Sequence, residues 1–226
     1  MKIKNKSLSD KSRKWLKRHV EDEYVKKSSK ENYRSRAAYK LIEILQKYSA
    51  VKNSRVIMDL GSAPGSWCEV LNRNIHTEKY ILAVDLLKMK PIKGVEFINC
   101  DFNDDQFIEF ANLKKPFDLI LSDISPNLSG YKNADHLRSR EILENTLDIA
   151  LKYLENGGHF VSKYFRTGDV SDILSTCNKN FDRVSSFKPT SSRKESSEIY
   201  LICLNKKNID SWHCIWNNLD LWDGAQ

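Results

Sequence analysis

The pattern of apolar and polar positions divides the chain into short apolar runs and amphipathic stretches. Apolar side chains recur every three or four residues at Ala38, Leu41, Ile42, Leu45 and Tyr48, a spacing that predicts a helix with one buried face. Short continuous apolar runs, which are typical of buried strands, follow this helix. They lie at 55–60, 80–85, 95–99, 117–122, 159–164, 181–187 and 198–204.

Helical stretches separate several of these runs, near 66–76, 103–112 and 136–154. Apolar strands that alternate with helices are typical of a doubly wound α/β domain, in which the sheet is mostly parallel. The runs therefore predict a mostly parallel, seven-stranded sheet. In such a sheet ligands bind at the carboxyl ends of the strands, so the polar residues at those ends are the candidates for chemistry.

The two ends of the chain fall outside this pattern. We predict a basic N-terminal arm at 1–30, one α/β domain at 31–205 and a C-terminal tail at 206–226. Apolar side chains recur at helical spacing in the tail, at Trp212, Ile215, Trp216 and Leu219. This spacing predicts a short helix that packs on the domain, and a partner-binding segment is the alternative.

Positive charge is concentrated at the N-terminal end. Residues 1–40 hold 14 Lys and Arg against 5 Asp and Glu, whereas the remainder holds 23 against 25. The net charge of +7 therefore divides into +9 and −2. A basic segment on a near-neutral domain predicts a polyanionic partner such as RNA, and a solvated tail is the alternative.

The composition argues against several classes of protein. No run of 18 or more apolar residues is present, so we expect no membrane-spanning helix, and the polar N-terminus lacks the apolar core of a secretory signal. The 5 cysteines form no C-x-x-C pair and the 5 histidines show no metal-ligand spacing, which predicts neither disulfides nor a metal site. We expect a cytoplasmic protein, with a mitochondrion or another organelle as the alternative.

A glycine-bearing turn, DLGSAPGSW at 59–67, follows the first apolar run. Gly61 and Gly65 let the backbone approach a ligand closely before the next helix begins. The turn does not match G-x-G-x-x-G, and Pro64 removes one N–H from any phosphate cradle. A nicotinamide-dependent oxidoreductase is therefore the less favoured alternative.

Aspartates follow four of the apolar runs, at Asp59, Asp85, Asp101 and Asp123. The carboxylate of Asp85 suits the two hydroxyls of a ribose, and Asp101 suits an adenine amino group. Taken alone, each aspartate is better explained as a turn former or a helix cap. Four at one edge of a sheet indicate a ligand. Phe102, beside Asp101, is assigned to the core.

Lys163 lies inside the apolar run GGHFVSKYF, where a lysine is costly unless it is paired or functional. Glu198 begins the last apolar run. A structural ion pair between these two residues beneath an RNA-binding surface is one interpretation. A role of both residues in chemistry is the other.

The motifs, taken in order, resemble the FtsJ-like family of ribose 2′-O-methyltransferases over roughly residues 7–205. They are SRAAYKL, DLGSAPGSW, AVDLL, CDF, LSDISPN, GGHFVSKYF and KPTSSRKESSEIYL. The resemblance implies a Rossmann-like fold that binds S-adenosylmethionine. It places the family's catalytic tetrad on Lys40, Asp123, Lys163 and Glu198, and its cofactor positions on Gly65, Trp67, Asp85, Asp101 and Asp123. Ser66 stands where the family more usually has a second glycine.

The resemblance also implies a substrate. The compact size, the basic N-terminus and the ending SSRKESSEIYL look closest to the bacterial and mitochondrial branch, which modifies a uridine of large-subunit ribosomal RNA. Ribosomal RNA or the large ribosomal subunit is then the expected partner of a monomeric enzyme that needs no metal. A methyltransferase of tRNA or of an mRNA cap, and a non-catalytic RNA-binding assembly factor, are the alternatives.

The implied reaction is in-line transfer of a methyl group from a sulfonium to a ribose oxygen. Lys163 is the candidate for contact with that oxygen, either as a general base or as a cation that stabilises developing negative charge. Burial and Lys40 lower the pKa expected for Lys163, whereas Asp123 and Glu198 raise it. Asp123 is expected to contact both the cofactor and Lys163, while Lys40 and Glu198 orient the ribose and the lysine.

Overall fold

The computed structural model of the protein describes residues 10–114, 116–126, 130–166 and 169–208. Its centre is a single seven-stranded sheet with the strand order β3-β2-β1-β4-β5-β7-β6. The strands are β1 (Val56–Leu60), β2 (Tyr80–Val84), β3 (Glu96–Ile98), β4 (Phe117–Ser122), β5 (Leu154–Phe165), β6 (Phe181–Phe187) and β7 (Glu198–Lys206). All seven coincide with the predicted runs, although β5 begins five residues before its run at 159–164.

Six of the strands point the same way, and β7 alone is reversed. The pairs from β3 through β2, β1 and β4 to β5 are parallel, whereas β7 is antiparallel to both β5 and β6. The prediction of a mostly parallel, doubly wound sheet is confirmed. Because β7 is reversed, its first residue, Glu198, lies at the same edge of the sheet as the carboxyl ends of β4 and β5.

Helices cover both faces of the sheet. They are α1 (Asp10–Glu21), α2 (Glu23–Lys30), α3 (Ala38–Lys47), α4 (Ser49–Lys52), α5 (Ser66–Asn74), α6 (Asp105–Lys114), α7 (Lys132–Tyr153) and α8 (Ser171–Asn180). The helix predicted from the 38–48 spacing is α3, and its apolar face is buried. α1 and α2 lie in the segment that was predicted only as a basic arm, and α4 and α8 were not predicted. Only Ile173 and Cys177 of α8 are fully buried, too few to mark a helical period in the sequence.

Two apolar cores result, one on each face of the sheet. Phe107, Tyr153 and Phe160 belong to the core beneath α6, α7 and α8. Leu41 and Leu71 belong to the core beneath α3 and α5. Burial of these faces is the main favourable contribution to folding, because each large apolar side chain removed from water contributes about 1.5–3 kcal/mol. The sheet therefore forms a rigid support for the loops at its edges.

The N-terminal arm is helical where the structure describes it. Asp22 ends α1 and caps α2, because its carboxylate accepts hydrogen bonds from the backbone N–H groups of Tyr24 and Val25 at 3.0 and 3.3 Å. Arg18 of α1 reaches Glu195 in the loop between β6 and β7, at 3.7 Å. The predicted C-terminal helix lies outside the described residues. None of the described helices has the length and apolar character needed to cross a membrane.

Candidate active site

The turn after β1 is folded back onto β2. The N–H groups of Gly61 and Ser62 both donate to the carbonyl of Val84, at 2.9 and 3.1 Å. Gly61 has a φ of +72°, and a Cβ at this position would lie 2.2 Å from Cγ1 of Ile124. The turn therefore requires glycine for both its conformation and its contact with the segment after β4.

A cavity of about 420 Å³ opens beside this turn, at the carboxyl ends of β1, β2 and β4. Its volume falls within the range of small-molecule sites, roughly 300–1,000 Å³. The acidic residues Asp85 and Asp123 line it, together with the apolar residues Leu86, Leu87 and Phe102. Phe102 also packs against the core to which the sequence assigned it. A ligand of nucleoside size that has both polar groups and an apolar surface fits this lining.

Asp85 joins the turn to the segment after β2. One carboxylate oxygen accepts a hydrogen bond from the N–H of Ala63 at 2.8 Å, and the other accepts from the N–H of Leu87 at 2.7 Å. A carboxylate has about four lone-pair sites, so two backbone donors leave capacity for ligand hydroxyls. Asp85 can therefore shape the cavity and bind a ligand at the same time.

Three other predicted cofactor positions have different surroundings from Asp85. A Cβ on Gly65 would lie 2.7 Å from the side chains of both Met89 and Ile92, so this glycine permits close packing. Trp67 is buried, and its ring nitrogen donates to the carbonyl of Ala37 at 3.0 Å. Asp101 accepts from the backbone N–H of Asn103 at 2.9 Å, as a turn former does. None of the three is among the residues that line the cavity.

The four predicted catalytic side chains meet at the edge of the sheet. Nζ of Lys40, on α3, lies 3.0 Å from Glu198 and 3.7 Å from Asp123. Nζ of Lys163, on β5, lies 3.2 Å from the same Asp123 oxygen. Two ammonium groups and two carboxylates thus alternate in one cluster. Glu198 is paired directly with Lys40, whereas the sequence suggested Lys163 as its structural partner.

Lys163 is held by three acceptors. It is only 5% exposed, and its Nζ donates to the backbone carbonyl of Asp123 at 2.8 Å as well as facing the Asp123 carboxylate. The hydroxyl of Ser125 is the third partner. Burial lowers the pKa of Lys163 and Lys40 lowers it further, against the raising effects of Asp123 and Glu198, so its pKa lies below the ordinary lysine value.

Asp123 is the electrostatic centre of the cluster. Burial alone would raise the pKa of its carboxyl, but Lys163 and Lys40 outweigh burial and hold the pKa below its usual value. Tyr200 donates its hydroxyl to Asp123 at 2.6 Å and also favours the carboxylate. Tyr200 was not among the residues predicted from the sequence. Strand alternation could have found it, since Tyr200 lies two residues after Glu198 and opposite Lys163 in the β5–β7 register.

Asp59, the fourth aspartate of the predicted set, lies inside β1 and not on the cavity wall. It is 1% exposed, and the thiol of Cys68 donates to it at 3.1 Å. Burial raises the pKa of Asp59 to about 7, and the negative charges of Asp123 and Asp85 contribute to this rise. Near neutral pH the protonated and the ionised forms of this buried carboxyl are therefore both populated.

The buried carboxyl predicts an unusual pH dependence of stability. Because its pKa in the folded protein exceeds the ordinary value of 3.8, folded Asp59 binds more protons than unfolded Asp59 between these two pKa values. Its contribution to stability is therefore complete below pH 3.8, falls as pH rises and is fully lost above about 7. Asp59→Asn should therefore raise the melting temperature strongly at pH 8.5 and only slightly at pH 4. The gain is at most about 4 kcal/mol, at ~1.4 kcal/mol per pKa unit. Thermal unfolding at both pH values tests this, and an equal effect at both would contradict it.

The chain is similar to known proteins over most of its length. The family profile described as FtsJ-like methyltransferase matches residues 33–206. The chain is 42% identical over 200 residues to a protein of Rickettsia bellii called ribosomal RNA large subunit methyltransferase E, covering 85% of this chain and 88% of that one. The protein of the same name from Methylobacillus flagellatus is 40% identical, covering 87% and 97%.

A solved structure gives a similar result. The crystal structure of a protein from Plasmodium falciparum, described as a ribosomal RNA methyltransferase, aligns with a TM-score of 0.68 and 33% sequence identity. The alignment covers 77% of this chain and 98% of that one. Most of the described domain therefore has a counterpart in that structure.

Proposed function

Because this chain belongs to the FtsJ-like methyltransferase family, we propose that it transfers a methyl group from S-adenosylmethionine to a ribose 2′-hydroxyl of large-subunit ribosomal RNA. The observation that carries the proposal is the position of Asp123. Asp123 lines the 420 Å³ cavity, and its carboxylate lies 3.2 Å from Nζ of the buried Lys163. One side chain thereby joins a site for a nucleoside cofactor to a group that can contact the accepting oxygen.

The residues of the cavity fit S-adenosylmethionine. Asp85 offers a carboxylate for the ribose diol, and Leu86, Leu87 and Phe102 offer apolar surface for an adenine. When bound, the cofactor supplies a methyl group that its sulfonium already activates. Trp67 and Gly65 act here through packing behind the turn, and Asp101 is proposed as a partner of the adenine amino group through rotation out of its present turn.

The tetrad can position the target ribose and handle its proton. Asp123 and Tyr200 hold the position of Lys163 from one side. Its three present acceptors use all three donors of an ammonium group, so Lys163 must release one of them to reach the 2′-oxygen. Ser125 is the acceptor that we expect it to release, because this residue also lines the cofactor cavity. The Lys40–Glu198 pair then faces the substrate side.

The choice of large-subunit RNA rests on the relatives. Both bacterial proteins described above carry that substrate in their names and align with most of this chain. A uridine is the proposed nucleotide, and the cytoplasm or a mitochondrion, where ribosomes are assembled, is the proposed compartment. Methylation of tRNA or an mRNA cap, and RNA binding without catalysis, are the competing functions that the experiment must separate.

A tritium-transfer assay tests the proposal. The full chain is incubated with methyl-tritiated S-adenosylmethionine and with large ribosomal subunits from a bacterium that lacks its own methyltransferase of this kind. Label should enter the RNA and remain in alkali-resistant dinucleotides, because a 2′-O-methyl group blocks alkaline cleavage. Bulk tRNA and capped mRNA serve as competing substrates and should accept little label. Absence of cofactor binding, or label in alkali-sensitive positions, would contradict the proposal.

A further inference from the structure

A second cavity of about 320 Å³ opens beside the Lys40–Glu198 pair. Both of these residues line it, so it is continuous with the tetrad. Its remaining wall comes from three parts of the chain, namely α1, the segment before α3 and the loop between β6 and β7. What this cavity binds is an inference that rests on the function proposed above, since RNA then supplies the accepting ribose.

The charges around this cavity favour an anion. Four cationic side chains line it against the carboxylates of Glu195 and Glu198. The cations are Arg18, Arg36, Lys40 and Arg193. Guanidinium groups bind phosphate oxygens through paired hydrogen bonds, which makes a phosphodiester the best match among the anionic groups of RNA. A phosphodiester next to a ribose bound at Lys40 and Glu198 would lie in this cavity.

Arg193 is anchored at one end only. Its Nε lies 3.4 Å from the carboxylate of Asp22, and its side chain is 31% exposed. Within the described part of the chain, its two terminal nitrogens make no hydrogen bond. An arginine fixed through Nε with its terminal nitrogens in a cavity is prepared to bind an anion, because little side-chain freedom remains to be lost.

Asp22 is the residue that fixes this arginine. Its side chain is 10% exposed, and it pairs with Arg36 as well as with Arg193. Arg36 also donates to the backbone carbonyl of Ser191, in the same loop. Asp22 thus ties the N-terminal arm to the segment before α3 and to the loop that carries Arg193.

We propose that Arg193 binds the RNA phosphodiester adjacent to the methylated ribose, and that Asp22 is the positioning residue that aims it. The N-terminal arm is then part of the substrate site, beyond its general attraction for RNA. In a purely electrostatic account, the negative charge of Asp22 opposes RNA binding. Its neutralisation should nevertheless weaken RNA binding, because the guanidinium loses its orientation.

The variants Arg193→Gln, Asp22→Asn and the double variant test this proposal, with Glu23→Gln as the control. Asparagine caps helices about as well as aspartate, so Asp22→Asn keeps α2 intact and removes only the charge. Glu23→Gln removes the same charge from the next residue without affecting the two arginines. The readouts are filter binding to the undermethylated large subunits at several salt concentrations, and KM and kcat in the tritium assay.

We expect Arg193→Gln to raise KM for the RNA substrate roughly ten-fold, to reduce the salt dependence of binding by about one charge and to change kcat little. Asp22→Asn should raise KM roughly five-fold, and the double variant should remain near the ten-fold loss of Arg193→Gln alone. Cofactor affinity should stay at the wild-type value in all of them. Glu23→Gln should bind RNA as tightly as the wild type or slightly more tightly.

Three outcomes would overturn the proposal. They are tighter RNA binding by Asp22→Asn, a wild-type salt dependence in Arg193→Gln, and a double variant whose loss equals the product of the single losses. The failure of the proposed function is a separate result. It would appear as no methyl transfer by the wild type, whereas the filter-binding measurements would still report on the phosphodiester site.

Discussion

Lys163→Ala should lower the single-turnover rate of methyl transfer by roughly 10²–10⁴-fold, the usual contribution of a positioned proton-transfer group. The affinities for cofactor and RNA should change little, because the contact with the 2′-oxygen strengthens only as charge develops. The structure supports an effect on rate without an effect on binding. Lys163 is 5% exposed, is held by Asp123 and does not line the second cavity, where we propose that RNA binds. Rapid-quench measurements with saturating cofactor and RNA test it.

The pH dependence of the wild-type rate distinguishes the two roles of this lysine. If neutral Lys163 is a general base, the rate rises with pH and levels off above its pKa, which lies below the ordinary lysine value. If the ammonium form stabilises negative charge, the rate falls as pH rises through the same pKa. Lys163→Arg gives an independent answer, because a guanidinium keeps the charge but cannot accept the proton. Substantial activity in that variant would favour the cationic role.

Lys179→Ala is the control for these measurements, since Lys179 is exposed on α8. It should transfer methyl groups at the wild-type rate. A near-normal rate in Lys163→Ala as well would remove this residue from the chemistry. The Lys40–Asp123–Lys163 cluster would then be a structural ion network.

Asp85→Ala should weaken binding of S-adenosylmethionine by about 1.5–3 kcal/mol, which is roughly a 10- to 150-fold rise in Kd. Two losses contribute to this effect. The ligand hydroxyls lose a carboxylate acceptor, and the N–H groups of Ala63 and Leu87 lose the hydrogen bonds of 2.8 and 2.7 Å that shape the turn. Isothermal titration calorimetry measures the change directly.

Asp105→Ala is the matched control, because Asp105 is an exposed aspartate in the first turn of α6 and does not line the cavity. Its Kd for the cofactor should equal that of the wild type. Asp101→Ala gives further information about the predicted adenine contact. A large loss of affinity would mean that Asp101 leaves its turn to bind the ligand. Unchanged binding by Asp85→Ala would exclude Asp85 from the cofactor site.

The positions of the strands could be predicted because parallel strands are buried on both faces and leave continuous apolar runs. α8 could not, since Ile173 and Cys177 are its only fully buried residues and the rest of the helix reads as polar loop. The early start of β5 was missed for a related reason. The residues after Leu154 at its start, Glu155–Gly157, are exposed and not apolar, so they do not extend the apolar run.

The four residues of the tetrad and the contact between Asp123 and Lys163 could be predicted, whereas the other contacts of the tetrad could not. The ordered motifs indicated Lys40, Asp123, Lys163 and Glu198, and the structure brings these four together. The partners that modify them come from register and loop conformation, which a motif does not contain. Tyr200 reaches Asp123 only because β7 runs antiparallel to β5, and Asp22 reaches Arg193 only because the arm folds against the loop after β6.

The reversal of β7 has a practical consequence for single-molecule and surface-based experiments. Glu198 begins this strand at the edge of the sheet that carries the tetrad, and the strand runs from there to the opposite edge at Lys206. There Lys206 donates to the carbonyl of Leu154 at 2.8 Å, at the opposite edge where β5 begins. The described chain therefore ends on the side facing away from the tetrad. Attachment to a sensor chip or a fluorophore at Asn208, the last described residue, should leave the edge that carries the tetrad open to a particle as large as a ribosomal subunit.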